Sequence, residues 1–222
     1  MDKLVDLAFT IKDKITDQEY LELMDAIKEV HQEKEPEEQP TEPVKVDIEE
    51  DPRWKTLDER LPVPPFLIVL QAPVASGKTT TFVNLLYDDN FYREMFDSVV
   101  IFSPTIHNDL TWKVALDDDT VTIYSGEELE NIDDTMEQLY KIQLDRVREA
   151  EEAGNSPPHM LMIIDDCLGL LGKKFNRLVT RHRHPRLSIM VSTQNFRALN
   201  LQVRQNSSHY MIYRTNNNKE LE

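Results

Sequence analysis

Residues 71–80 read QAPVASGKTT and separate two stretches of opposite character. Upstream, residues 66–71 (FLIVLQ) form an apolar run of β-formers, and downstream, residues 78–87 (KTTTFVNLLY) read as a helix. A strand that stops, a short loop ending in Gly77-Lys78-Thr79, and a helix that starts form a setting in which backbone N–H groups converge on an anion. The pattern G-x-x-x-x-G-K-[ST] is met at each fixed position except the first, where Ala72 stands in place of glycine. Pro73 favours an extended Ala72, so the loop is expected to survive the replacement provided φ is negative there. The loop Ala72, Pro73, Val74, Ala75, Ser76, Gly77, Lys78, Thr79 and Thr80 is therefore read as a phosphate cradle, with Lys78 on the β/γ-phosphates and the Thr79 hydroxyl on Mg²⁺. The plainer alternative is a Gly-Lys turn with an exposed lysine.

From Leu61 onward, short apolar runs alternate with helical segments, which predicts an α/β fold with a mostly parallel sheet flanked by helices. Strands are expected at 66–71, 98–103, 120–124, 159–164, 187–192 and 209–213, and helices at 78–87, 126–152 and 168–180. The run HMLMIIDDC is a buried strand ending in Asp165-Asp166. In a nucleotide site the first of two such acids holds the water shell of Mg²⁺ and the second polarises an attacking water; without one, the pair would cap the following helix. NTPases with a water-activating acid often place an extra strand between the two motif-bearing strands. The interval from 71 to 159 has room for it in SVVIFS or TVTIY.

The strand LSIMVS ends at Thr193-Gln194-Asn195. Carboxyl ends of parallel strands line the ligand crevice, so Gln194 is expected near Thr79 and Asp165, sensing the γ-phosphate or orienting water. Arg204 is a candidate for stabilising charge on the transferring phosphoryl group, and Arg181 and Arg183 compete with it for that role or for DNA phosphate. His182 and His184 lack spaced Cys or acid partners, so they read as basic surface and not as a metal site.

The net charge of −16 is unevenly spread. Residues 1–60 hold 19 acids against 9 bases, whereas residues 167–219 contain ten Lys or Arg and no acid. The basic segment 173–204 can present a positive surface to a polyanion such as double-stranded DNA, or merely neutralise the acidic leader. No apolar run approaches the roughly 20 residues of a membrane span, and MDKLVDLAFTIKDK interleaves charges where a signal peptide is apolar. Neither export nor a membrane partner is expected. Cys167 is the single cysteine, in keeping with a reducing compartment.

Residues 1–32 are expected to form a helical leader, a hairpin of two short helices with apolar stripes Leu4–Ile15 and Tyr20–Val30 and a Thr16-x-x-Glu19 capping box opening the second. Residues 33–60 read as an acidic, Pro/Glu-rich linker and 61–222 as the nucleotide-binding domain.

Taken in order, ASGKTT, FDSVVIFSPTIHNDLTW, IIDD, RHRHPRLSIMVSTQN and VRQNSSHY resemble the genome-packaging ATPases of large double-stranded DNA viruses and virophages, members of the FtsK/HerA superfamily of ring-forming DNA pumps. The resemblance runs from about residue 60 to 215 and leaves the leader out. It implies a three-layer P-loop NTPase core of the RecA/ASCE type, a ring homo-oligomer with ATP at subunit boundaries, and duplex DNA threaded into a preformed capsid. By position it implies that Lys78 and Thr79 bind phosphate and Mg²⁺, Asp165 binds Mg²⁺ through water, Asp166 activates the attacking water, Gln194 senses the γ-phosphate and Arg204 is the arginine finger. It also implies a location in the host-cell cytoplasm or viral factory, or on the virion. Asp166 departs from the glutamate of the cellular relatives by one methylene, which puts the water within its reach only on ring closure. Two other readings stay open: a P-loop kinase of a small metabolite, in which the arginines at 181–186 form a lid, and a non-catalytic, nucleotide-responsive adaptor whose leader docks on a capsid or portal protein.

Overall fold

The computed structural model describes residues 16–32 and 51–214. The expected first leader helix, the linker over 33–50 and the last residues of the chain lie outside the described residues. Helix α1 (Asp17–Gln32) opens on the anticipated box: the Thr16 N–H donates to Glu19 Oε2 at 2.9 Å, and the Glu19 N–H donates to Thr16 Oγ1 at 3.4 Å. Each partner thereby satisfies a backbone donor that the first turn leaves free.

The second unit is built on six strands: β1 (Leu67–Gln71), β2 (Ser98–Phe102), β3 (Val121–Tyr124), β4 (Met160–Ile164), β5 (Leu187–Thr193) and β6 (His209–Ile212). All pair in parallel, in the order β3-β2-β4-β5-β1-β6. Burial explains that order. β1, β4 and β5 are buried at every position, as strands flanked on both sides and covered on both faces must be, whereas β3 and β6 are partly exposed and form the edges.

The helices are α2 (Lys78–Tyr87), the single turn α3 (Lys113–Leu116), α4 (Ile132–Glu152), α5 (Lys173–Val179) and α6 (Leu201–Asn206). Side chains alternate across the sheet with a period of two. Leu67, Val69, Met162 and Ile189 face Ile132 and Met136 of α4, Phe175 of α5 and Val203 of α6. Ile68, Leu70, Ile163 and Met190 face Phe82 and Leu85 of α2, with Trp54, Tyr92 and Trp112. These two cores on either side of the sheet make the three layers expected.

Three local expectations change. Residues 51–60, which read from composition as linker, are folded onto this unit: Asp51 caps a 3₁₀ turn (Pro52–Thr56), Arg53 bridges Asp51 and Asp97, and the Trp54 ring is buried at 5.0 Å from His159. One indole buries enough apolar area to outweigh the acidic, proline-rich composition around it. The expected helix 168–180 breaks into a 3₁₀ turn (Leu168–Leu170) and α5, because Asp133 of α4 accepts hydrogen bonds from the backbone N–H groups of Gly172 and Lys174. A Cβ at position 172 would stand 2.2 Å from Asp133 Oδ2, so glycine is required for that approach. Helix α6 is too short to carry a periodic signal and was not expected; Asn200 caps it by accepting from the Gln202 N–H at 2.8 Å.

Candidate active site

The strand between β1 and β4 is β5, not β2 or β3 as the length of the interval from 71 to 159 suggests. SVVIFS and TVTIY lie beyond β4, the second at the edge, where Thr122 is exposed. The intervening strand thus comes from sequence after the acid pair. Its presence aligns three carboxyl ends: Gln71 is level with Thr193 and Ile164 with Val191. Pairing continues past the strands, with the Ala72 N–H donating to the Thr193 carbonyl at 3.0 Å and the Asp165 N–H to the Phe102 carbonyl at 2.9 Å.

The loop after β1 turns through two left-handed residues, Ala75 (φ +56°) and Gly77 (φ +91°). Ala72 is fully buried and does not have a positive φ, which is why a methyl group is tolerated where the pattern has glycine. Gly77 is the residue that needs glycine's freedom. It caps α2 without a side chain and leaves the first N–H groups of the helix open to an anion. Lys78 is buried, with Nζ turned back to the carbonyls of Pro73 (3.2 Å) and Ala72 (3.5 Å).

Asp165 is 1% exposed. Its Oδ1 accepts from Ser192 Oγ at 2.7 Å, and its Oδ2 lies 3.4 Å from both Thr79 Oγ1 and Trp112 Nε1. Burial pushes this carboxyl above the ordinary range and Asp166 adds to the push; hydrogen bonds from Ser192 and Trp112 and the charge of Lys78 oppose it. Asp166 is exposed on left-handed backbone (φ +53°), its N–H donating to Ser192 Oγ at 3.0 Å and its Oδ1 lying 3.5 Å from Gln194 Nε2. A hollow of about 220 Å³, lined by Asp166, Ser192, Gln194 and Asn195, opens beside them. Lys78, Thr79, Asp165, Asp166 and Gln194 therefore share one edge of the sheet. Cys167, behind them, is buried, and burial pushes its thiol up to about 12, so it is not a nucleophile at neutral pH.

The three arginines are elsewhere. Arg181 and Arg183 sit in the turn that feeds β5, at the opposite end of a strand roughly 20 Å long at about 3.3 Å per residue. They cannot reach the phosphate loop of their own chain. Arg204, half-buried on α6, has its guanidinium 5.7 Å from the centre of the Phe196 ring, with Nε buried and unpartnered.

The basic segment is divided as well. Lys174 pairs with Glu137 at 2.8 Å and with Asp134, both on α4. Arg181, Arg183 and His184 stay exposed around a hollow of about 410 Å³ shared with Gln205–Ser208. His182 does not extend that surface: it is buried, its Nδ1 2.8 Å from the Leu187 carbonyl.

Ser192 and Trp112, both on Asp165, escape a reading of the sequence. A hydroxyl inside an apolar strand end and a tryptophan in the polar loop TIHNDLTW are the signals that could have drawn attention to them.

Among the described residues no group of three His, Cys, Asp or Glu could hold a metal ion by itself, and no helix is long and apolar enough to cross a membrane.

A parallel sheet with one strand inserted between β1 and β4, a glycine-lysine loop after β1 and an acid pair after β4 define a P-loop NTPase. Residues 55–221 match the family described as Poxvirus A32 protein, and the chain belongs to that family. Solved structures share the fold. The cytoplasmic domain of EssC has a TM-score of 0.55 at 13% identity, over 71% of this chain and 34% of that one. The cytoplasmic domain of the Thermomonospora curvata type VII secretion ATPase EccC has 0.53 at 12%, over 67% and 20%. The genome packaging NTPase B204 from Sulfolobus turreted icosahedral virus 2, in complex with AMP, has 0.52 at 16%, over 72% and 80%. The chain thus spans about a third of the EssC cytoplasmic domain and most of B204. At these identities the likeness speaks for the fold. Among curated protein sequences none matches the chain significantly.

Proposed function

We propose that the site binds Mg²⁺–ATP and that its hydrolysis drives double-stranded DNA into a preformed capsid, the subunits acting as a ring. The observation that carries this reading is the meeting of Lys78, Thr79, Asp165, Asp166 and Gln194 along one sheet edge in a chain of the Poxvirus A32 protein family. The N–H groups of residues 74–80 and the Lys78 ammonium cradle the phosphates, the lysine exchanging its loop carbonyls for phosphate oxygens.

The donor set fits a divalent cation. Asp165 is a buried carboxylate whose charge is poorly compensated, and the Thr79 hydroxyl is 3.4 Å from it. The Thr79 oxygen would hold Mg²⁺ directly and Asp165 through its water shell, since the ion dehydrates reluctantly and keeps several waters beside the substrate phosphates. When bound, the ion supplies charge neutralisation at the β- and γ-phosphoryl oxygens. Asp166 takes the proton of the water whose oxygen bonds to the γ-phosphorus as the bond to the β-phosphate oxygen breaks, and Gln194 orients that water.

Arg204 is our candidate for a finger offered to a neighbouring subunit's ATP. Arg181, Arg183 and His184 are the candidates for DNA phosphate, since Lys174 is already paired. Nothing favours transfer to a small metabolite: a kinase has no use for Asp166 beside Gln194, and the arginines at 181–186 are too far from the phosphate loop of their own chain to form its lid. The leader is left as the candidate for docking on a capsid or portal component.

ATP turnover measured with and without duplex DNA tests the reading. We expect stimulation by DNA of any sequence, falling steeply as salt rises. Equal rates with and without DNA at low salt, where rings form, would rule out the motor.

A further inference from the structure

Between β2 and α3 the chain crosses above the carboxyl edge of the sheet and comes down on the active site. Trp112 is fully buried, its ring stacked on Phe82 of α2 with centres 6.5 Å apart and planes at 26°. That packing aims the indole N–H at Asp165 Oδ2, 3.4 Å away. Asp109 holds the preceding turn closed: its Oδ1 accepts from the Thr111 N–H at 2.9 Å and its carbonyl accepts from the Trp112 N–H at 3.0 Å. The Thr79 hydroxyl lies near the same carboxylate and favours its charged form. Burial pushes the Asp109 carboxyl up, and the bonds from Thr111 and Thr79 more than offset it.

A hydroxyl has one proton to donate and two lone pairs to offer. In the structure the Thr79 hydroxyl is 3.4 Å from Asp165 Oδ2, with the Asp109 carboxylate nearby. If the Thr79 oxygen turns a lone pair to a divalent cation, its proton must still have an acceptor, and Asp165 is then engaged with the water shell of that cation.

We propose that the Asp109–Trp112 turn is a positioning element for the metal-bound nucleotide, in which the Trp112 indole fixes the Asp165 carboxylate and Asp109 accepts the Thr79 hydroxyl. The proposal rests on the reading of this site as one for Mg²⁺–ATP. Neither residue touches the nucleotide; both act on the groups that hold the cation.

The test uses the full chain and follows ATPγS binding by calorimetry across a range of Mg²⁺ concentrations and again in EDTA. Trp112→Phe keeps a buried ring on Phe82 but has no N–H to donate, and Asp109→Asn keeps a cap for Thr111 but removes the charge. Each is expected to raise the Mg²⁺ concentration for half-maximal effect on the order of tenfold, the usual cost of removing a partner that orients a metal ligand. Affinity in EDTA should match wild type, which a merely structural defect would not allow. A Mg²⁺ dependence like that of wild type in both variants overturns the proposal. Should Trp112→Phe fail to fold, Trp54→Phe leaves Trp112 as the single tryptophan of the chain. Its emission is expected to respond to ATPγS with Mg²⁺ and much less to ATPγS in EDTA; equal responses overturn the proposal. If wild type binds no ATPγS under any condition, the nucleotide reading itself falls, an outcome distinct from normal binding with unaltered Mg²⁺ dependence.

Discussion

Asp166, at the carboxyl edge of the sheet, and Asp97, at the amino edge, are both acids flanking a central strand, yet they are held in opposite ways. Asp97 Oδ2 takes the His159 N–H at 2.7 Å and Arg53 at 2.9 Å. Arg53 also grips Asp51, and Arg186 lies 3.4 Å from His159 Nε2. Asp166 stands exposed on left-handed backbone, its carboxylate meeting the Gln194 amide at 3.5 Å. Left-handed backbone occurs at Ala75 on that edge and equally at Glu94 and Arg186 before β2 and β5, and Lys78 is satisfied by loop carbonyls. Backbone strain of this kind persists where the surrounding fold enforces it, here on both edges, so what separates the two acids is the pairing of their charges. The Asp97 carboxylate is neutralised by Arg53 within the fold, whereas Asp166 meets no cation among the described residues and stays open to a ligand.

If that contrast holds, charge removal at the carboxyl edge should damage function far more than folding. The largest expected effect is that of Asp166→Asn. Loss of a general base lowers ATP turnover by about 10³-fold, within the range for such groups, while ATPγS still binds. A variant that retained turnover would reduce Asp166 to a turn residue. Next is Lys78→Ala, which removes charge-assisted bonds to phosphate and should weaken ATPγS binding by about 10²-fold in calorimetry. Its melting temperature should scarcely move, because the Lys78 ammonium bonds to the loop it cradles.

The amino edge should show the reverse, a cost in stability and none in nucleotide binding. His159 is buried, and burial together with the charges of Arg53 and Arg186 lowers its pKa from 6.5 to about 4, with Asp51 and Asp97 pulling weakly the other way. Arg186 donates to Nε2, so the ring is held neutral, with Nδ1 left buried and unpartnered. The unfolded chain takes up this proton from pH 6.5 downward, whereas the folded chain resists until about pH 4. Stability is therefore full above pH 6.5 and is lost as pH falls through the window toward 4. Between about pH 7 and about pH 4.5 the histidine should cost roughly 2 kcal/mol, at about 1.4 kcal/mol per pKa unit. Urea unfolding across that window should be visibly flatter for His159→Phe, which keeps an aromatic ring against Trp54.

Which parts of this contrast are legible in the sequence follows from how each is encoded. The strand carrying FLIVLQ and the strand carrying HMLMII, buried on both faces, announce themselves as apolar runs, and their ends are marked by the polar residues that the active site needs. Hence the loop, the acid pair and Gln194 can be read directly from sequence. Strand order cannot, because adjacency is decided by packing; the exposed Thr122 of β3 is the one hint that TVTIY belongs at an edge. Trp54 is hidden in an acidic, proline-rich stretch, and Trp112 in a loop whose path over the sheet exists only through its packing on Phe82. His182 looks like surface because it alternates with arginines, yet its ring is turned inward by the Leu187 carbonyl.

The smallest expected effect separates two kinds of cation within the basic segment. Arg181 and Arg183 are exposed around the hollow at the amino edge, whereas Lys174 is tied to Glu137 and Asp134. Only unpaired cations release condensed counterions when they meet a phosphate. Replacing Arg181 and Arg183 together with alanine should lower affinity for duplex DNA on the order of tenfold at low salt and reduce the salt slope by about two, one for each phosphate no longer neutralised. Lys174→Ala should leave the slope unchanged and act through α4 and α5 packing instead. Equal slopes for wild type and the double variant would place the DNA track elsewhere on the molecule, with Arg197 the next exposed cation to test.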